Sequence, residues 1–192
     1  MELQVVEHRV PDGGEADLAA ARRVLYSVDR NTARFSTDAV TVEGPAHVLA
    51  FELVPSAADG SLLSAALELP TDEESLMRCD RVDFPTGGVA YLHTHQGPGI
   101  RVLLHGSIRI DTAGQSHSYG PLEAWFEPGP EPVFAATSET EPSAFVRCMI
   151  LPARLRGQSS IRYVREADAE KPKSQRYTVF VDEPLAAIAG AP

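Results

Sequence analysis

Residues 87–106 constrain the fold more than any other part of the chain. They read Gly-Gly-Val-Ala-Tyr-Leu-His-Thr-His-Gln-Gly-Pro-Gly-Ile-Arg-Val-Leu-Leu-His-Gly. His93 and His95 stand two apart in a strand-like run. Successive side chains of a strand point to opposite faces, so both imidazoles are expected on the same face. A Gly97-Pro98-Gly99 break follows, then an apolar run closed by Gly106.

The surrounding pattern is that of an all-β chain. Strands are expected at 89–95, 101–111, 115–119, 124–126, 133–136 and 144–151, separated by Gly- and Pro-bearing turns such as Thr112-Ala-Gly114 and Glu127-Pro-Gly-Pro130. Short, regularly spaced strands with such turns indicate a sandwich or barrel. Upstream, residues 39–43 and 47–54 also read as strands, and 62–69 is assigned to strand over helix. Residues 15–29 read as a helix, because Leu18, Ala21, Val24, Leu25 and Val28 recur at three and four. Downstream, residues 165–175 read as a charged linker, followed by a last strand at 176–181.

The 87–106 segment resembles the first motif of the cupin superfamily. In that motif five residues separate a glycine from His-x-His, a glutamate follows, and six residues separate it from a second glycine. Gly87, His93, His95 and Gly106 match, while Gly99 occupies the glutamate position. The second motif is matched in outline by residues 120–137, with Val133 where the family carries a histidine. The resemblance implies a cupin double-stranded β-helix, a jelly-roll barrel, here with an N-terminal helix and flanking strands. Residues 1–80 form an extension packed on the barrel, 81–152 the barrel core, and 153–192 a linker and closing strand.

Two of the four metal ligands of the family pattern are therefore replaced. His93 and His95 remain a candidate pair for a weakly held divalent iron, manganese, nickel or zinc ion, or else line a metal-free cavity. Replacing Gly99 by Glu and Val133 by His is expected to rebuild a four-ligand set. Arg101 lies two residues beyond Gly99 and shares its face unless the Gly-Pro-Gly break shifts the strand phase. A guanidinium cannot ligate a metal, but it binds carboxylates and phosphates through paired hydrogen bonds. Buried inside a barrel it needs a counter-charge, supplied by Glu127 or by an anionic ligand. His93, His95 and Arg101 are thus the candidate catalytic residues, and Tyr91, Gln96, Arg101, Trp125 and Glu127 the candidate ligand contacts. His105 and His117 fall too far along the strands to join them.

The implied function is action on, or binding of, a small anionic metabolite in the barrel. An enzyme of this class would be a dioxygenase, isomerase or lyase; the alternative is a non-catalytic, metal-free ligand-binding or sensor cupin. The formal net charge of −10 disfavours nucleic acid and anionic membranes as partners. No apolar run reaches membrane-spanning length, and the first residues lack a signal-peptide pattern. A cytoplasmic homodimer is expected. Cys79 and Cys148, without CxxC spacing, are expected to be buried thiols.

Overall fold

The computed structural model describes residues 1–70 and 73–185. The N-terminal third forms β1 (Glu2–Val10), β2 (Glu15–Leu18), β3 (Arg22–Ser27), β4 (Thr32–Ser36), β5 (Val40–Glu43), β6 (Ala46–Val54) and β7 (Leu63–Ala66). Five of these make an antiparallel sheet in the order β4-β3-β6-β1-β7, and β2 and β5 pair as a ribbon. The next eight strands are β8 (Ser75–Phe84), β9 (Val89–His95), β10 (Gly99–His105), β11 (Ile108–Thr112), β12 (Gln115–Tyr119), β13 (Ala124–Glu127), β14 (Val133–Thr137) and β15 (Ser143–Pro152). After a 3-10 turn at Ala153–Leu155 come β16 (Ile161–Tyr163), α1 (Glu166–Glu170) and β17 (Arg176–Leu185).

Strands β8 to β15 build two facing sheets in the orders β13-β10-β15-β8 and β12-β11-β14-β9, and β17 and β16 extend them beside β8 and β9. This is the jelly-roll order, two Greek keys on facing sheets. The sheet containing β15 is the middle layer of three. Its outer face (Met77, Cys79, Ile100, Val146, Cys148) packs on Leu3, Val5, Val24, Tyr26, Leu49 and Phe51 of the N-terminal sheet. Its inner face (Val82, Phe84, Leu103, Trp125, Phe145) packs on Ala90, Ile108, Ile110, Val133 and Ala135 of the opposite barrel sheet. Burial on both faces explains why β15 reads as one apolar run, Ser-Ala-Phe-Val-Arg-Cys-Met-Ile-Leu-Pro. Cys79 and Cys148 are free, buried and direct cross-strand partners.

The helix expected at 15–29 is instead β2 and β3. Val24 and Tyr26 face the middle sheet while Leu25 packs on the β2–β5 side. A strand buried on both faces carries apolar residues at mixed spacings and so imitates a helical stripe. Asp17 accepts a hydrogen bond from Thr41 Oγ1 at 2.7 Å across the ribbon. The strand expected at 101–111 is two strands, β10 and β11, which lie in different sheets and meet at Gly106, whose φ is 78°. A Cβ there would lie 2.3 Å from Ser143 Oγ, so only glycine fits the corner. Strand β8 begins six residues earlier than the expected barrel start, β16 was not expected, and the linker contains α1. The final strand pairs along the β8 edge.

Candidate functional site

The site is the polar cluster inside the barrel, set among the apolar side chains of both sheets. His93 and His95 on β9 both point inward, at 5% and 4% exposure, as their spacing requires. Tyr91 does not join them. The β9–β14 register shifts between Val133 and Ala135, so Ala90 faces the cavity and Tyr91 is turned out. A bulge of this kind reverses the facing of every residue beyond it. The Tyr91 ring instead lies 4.5 Å beneath Lys171 Nζ.

Glu127 reaches the same centre from the edge strand β13. It is the direct cross-strand partner of Gly99, so the acid missing from position 99 is supplied one strand away. Trp125 Nε1 donates to Glu127 Oε1 at 2.8 Å. Arg101 Nη2 lies 2.8 Å from Glu127 Oε2, with the guanidinium 1% exposed. Of the two counter-charges foreseen for Arg101, the protein thus supplies its own. Arg101 Nη1 also donates to the Gly99 carbonyl at 2.6 Å. Position 99 itself has no space for a side chain. A Cβ there would lie 2.6 Å from the Cys148 carbonyl oxygen and 2.7 Å from Met149 Cγ. The Gly99→Glu replacement therefore cannot rebuild the family ligand set. Even Gly99→Ala is expected to destabilise the fold by about 1–3 kcal/mol through overpacking, measured by urea unfolding.

The imidazoles form a short hydrogen-bonded row. His93 Nδ1 is 2.7 Å from the Tyr91 carbonyl, which can only accept, so Nδ1 carries the proton and Nε2 presents a lone pair. His95 Nε2 lies 3.2 Å from His93 Nε2 and 3.3 Å from Glu127 Oε2. It donates to His93 Nε2 and is in polar contact with the Glu127 carboxylate, leaving His95 Nδ1 buried with no hydrogen-bond partner among the described residues. Position 95 is fixed by the second-motif turn, since the His95 amide donates to the Gly129 carbonyl at 2.8 Å.

Burial decides the charge states. Desolvation lowers His93 below the ordinary imidazole value and pushes His95 down to about 3, against the opposing pull of Glu127. Burial also lowers Arg101, to about 10, so it remains charged at neutral pH. For Glu127 burial acts upward, but the Arg101 charge beside it and the His95 hydrogen bond outweigh this and hold the carboxyl low. At neutral pH the centre is one ion pair and two neutral imidazoles. An unfolded chain binds a proton on His95 near pH 6.5, whereas the folded chain does so only near pH 3. Stability is therefore expected to fall as pH drops below 6.5, with His95 contributing up to about 1.4 kcal/mol per unit. Glu127 loses its own contribution only further into acid, below the unfolded carboxylate value. The slope at mildly acidic pH is expected to flatten in His95→Phe, read by urea unfolding. An unchanged slope would show that His95 is not the group responsible.

Among the described residues no three His, Cys, Asp or Glu side chains are arranged to hold a metal ion. The reason is local. Glu127, the acid in contact with His95, has one oxygen on Trp125 and the other against the Arg101 guanidinium. A second cation would sit beside that positive charge at low dielectric, where like charges repel strongly. Val133, at the family histidine position, pairs with His93 and is 3% exposed, adding an apolar wall.

The space left inside is about 20 Å3, lined by this cluster with Phe145, Arg147 and Tyr177, enough for about one water. Gln96 does not line it; its amide donates to the Ser160 carbonyl at 3.1 Å. Trp125 is a wall residue, stacked on Tyr119 at 4.9 Å between ring centroids. His105 and His117 lie exposed at strand positions outside the site. Sequence reasoning missed Asp80, Arg147 and Tyr177. Arg147 Nε and Nη2 donate to the two Asp80 carboxylate oxygens at 2.7 and 3.1 Å, and the guanidinium lies 5.5 Å from the Tyr177 ring centroid. The available signal was one arginine in an otherwise apolar strand.

No protein-family model matches the chain, and no curated protein matches it. Solved structures do. The polyketide cyclase RemF from Streptomyces resistomycificus is similar over 46% of this chain and 61% of its own, at 22% identity and TM-score 0.38. A cupin 2 conserved barrel domain protein from Leptotrichia buccalis is similar over 77% of this chain and 89% of its own, at 16% identity and TM-score 0.41. An oxalate oxidase is similar over 42% of this chain and 47% of its own, at 19% identity and TM-score 0.36. The chain thus spans about half to three fifths of the lengths of the cyclase and the oxidase. No helix among the described residues is long and apolar enough to cross a membrane. Eight strands in jelly-roll order, with a His-x-His pair turned into the barrel and a glycine on either side of it, give this chain the cupin-type double-stranded β-helix fold.

Proposed function

We propose that this cupin-fold protein binds a small organic molecule at its barrel without depending on a bound metal. The observation that supports the reading most is the 2.8 Å contact between Arg101 and Glu127. It places an internal ion pair where the family pattern has a ligand set, and leaves two neutral imidazoles beside it. The inner space of about 20 Å3 is too small for a metabolite. It shares Arg147 and Tyr177 with a cavity of about 380 Å3 at the barrel mouth. A ligand is expected in that outer cavity, with His93, His95, Arg101 and Glu127 forming the polar floor behind it.

A second, catalytic reading is favoured by the row from the Tyr91 carbonyl through His93 and His95 to Glu127. Such a row can hand a proton between neutral imidazole and carboxylate. No step in it passes through a metal. Non-denaturing mass spectrometry of the freshly purified chain, with elemental analysis of the same sample, separates these readings from a metal centre. An organic adduct without stoichiometric metal supports the first. Stoichiometric iron, manganese, nickel or zinc would assign His93 and His95 as ligands and overturn it.

A further inference from the structure

We propose that the mouth cavity is a chamber for an aromatic monocarboxylate, held by Arg147 and packed between tyrosine rings. The proposal rests on the ligand-binding reading above and extends it to a ligand class. The cavity, about 380 Å3, is lined by Arg147, Tyr163, Tyr177, Val179, Gln158 and Ser160, with the Arg78–Asp182 pair and Asp80 at its margin. Several of these residues come from β16, β17 and the 157–160 segment, outside the eight-strand jelly roll. The chamber thus joins Arg78, Asp80 and Arg147 of the eight strands to segments that lie outside them.

Two arginines border it, and they differ in what they have left to give. All three nitrogens of Arg78 are engaged. Its Nε and Nη2 hold Asp182, each at 2.9 Å, and its Nη1 and Nη2 donate to the Gln158 and Leu155 carbonyls, each at 2.7 Å. Its role is to fasten the 155–158 segment as a cavity wall. Arg147 is 5% exposed and uses Nε and Nη2 on Asp80. Its Nη1 makes no hydrogen bond with any described residue. A buried guanidinium whose Nη1 is unused, on the wall of an open cavity, is a site for an acceptor oxygen.

Charge and shape narrow the class. Arg78, Arg147, Asp182 and Asp80 sum to zero, so the wall has no excess positive charge for a phosphate dianion. One carboxylate finds the Arg147 donor. Of the rest of the lining, Tyr163, Tyr177, Ile161 and Val179 form an aromatic and aliphatic side, and Gln158, Ser159 and Ser160 a polar one. Tyr177 and Val179 are 39% and 54% exposed, an apolar rim open to solvent. Removing such a rim from water favours a ring over a chain of hydroxyls.

Calorimetric titration of the full chain with benzoate and 4-hydroxybenzoate, against acetate and inorganic phosphate, tests this. Both ring acids are expected to bind at least ~10-fold more tightly than either control, a difference of ~1.4 kcal/mol. Arg147→Lys keeps a cation for Asp80 but loses the planar donor, and is expected to weaken ring-acid binding at least ~10-fold. Tyr177→Leu, at the partly exposed rim, is expected to do the same without threatening the fold. Arg109→Ala, on an exposed outer ion pair, is expected to change nothing. Failure of both ring acids to bind, or binding no tighter than acetate or phosphate, overturns the chamber. Binding undiminished in both the Arg147 and Tyr177 variants also overturns it, while leaving the broader ligand-binding reading standing.

Discussion

Glu127→Ala is expected to destabilise the protein by about 3–5 kcal/mol in urea unfolding, a large share of a typical domain's stability. The carboxylate is the partner of a guanidinium that is 1% exposed, and it also receives the Trp125 indole hydrogen bond. Removing it leaves Arg101 charged and buried with only the Gly99 carbonyl for company. The cost lies in the orphaned charge rather than in the pair itself. The double variant Glu127→Leu with Arg101→Leu is therefore expected to recover most of the loss, to within about 1–2 kcal/mol of the unmodified chain, because a well-packed apolar replacement of a buried pair is often near neutral. Additive losses from the two single changes would show that the contact is not an energetic unit.

Arg101→Leu is expected to have the second largest effect, and in two directions. Without added metal it loses about 3–5 kcal/mol, since Glu127 is then the uncompensated buried charge. The same change removes the cation beside Glu127 Oε2. Two imidazole nitrogens 3.2 Å apart and that oxygen, 3.3 Å from one of them, then face each other without a neighbouring positive charge. These spacings resemble the donor–donor edges around a divalent ion bound at about 2.1 Å. Zinc is therefore expected to raise the melting temperature of Arg101→Leu, by binding the folded state alone, and to leave that of the unmodified chain unchanged. Equal zinc responses in the two proteins would mean that Arg101 does not control the site.

The barrel was legible in the sequence where local chemistry dictates geometry. Glycine at the 87 and 106 corners, Gly-Pro turns and two histidines at strand spacing specify a strand order with little tertiary help. The N-terminal sheet was not legible in residues 15–29, because β3 is buried on both faces and its apolar spacing carries no unique period. Within the site, the inward facing of His93, His95 and Arg101 followed from alternation. The turning out of Tyr91 did not, because it depends on a bulge set by pairing with β14. Glu127 was visible only as a nearby acid; its placement beside Gly99 is a matter of β10–β13 register. Asp80, Arg147 and Tyr177 come from three strands far apart in the chain and meet only through the β15–β8–β17 pairing. Their one local trace is charge inside apolar runs, as in Leu76-Met-Arg-Cys-Asp80 and Val146-Arg-Cys148.

Arg101 and Glu127 together are expected to keep a metal ion out of the barrel. This is tested most directly by titrating cobalt(II) into the unmodified chain and recording the visible absorption of bound ion alongside calorimetric heats. No stoichiometric binding and no new visible band are expected, with both gained in Arg101→Leu. A saturable one-to-one cobalt complex of the unmodified chain, lost in His93→Ala and His95→Ala, would contradict it.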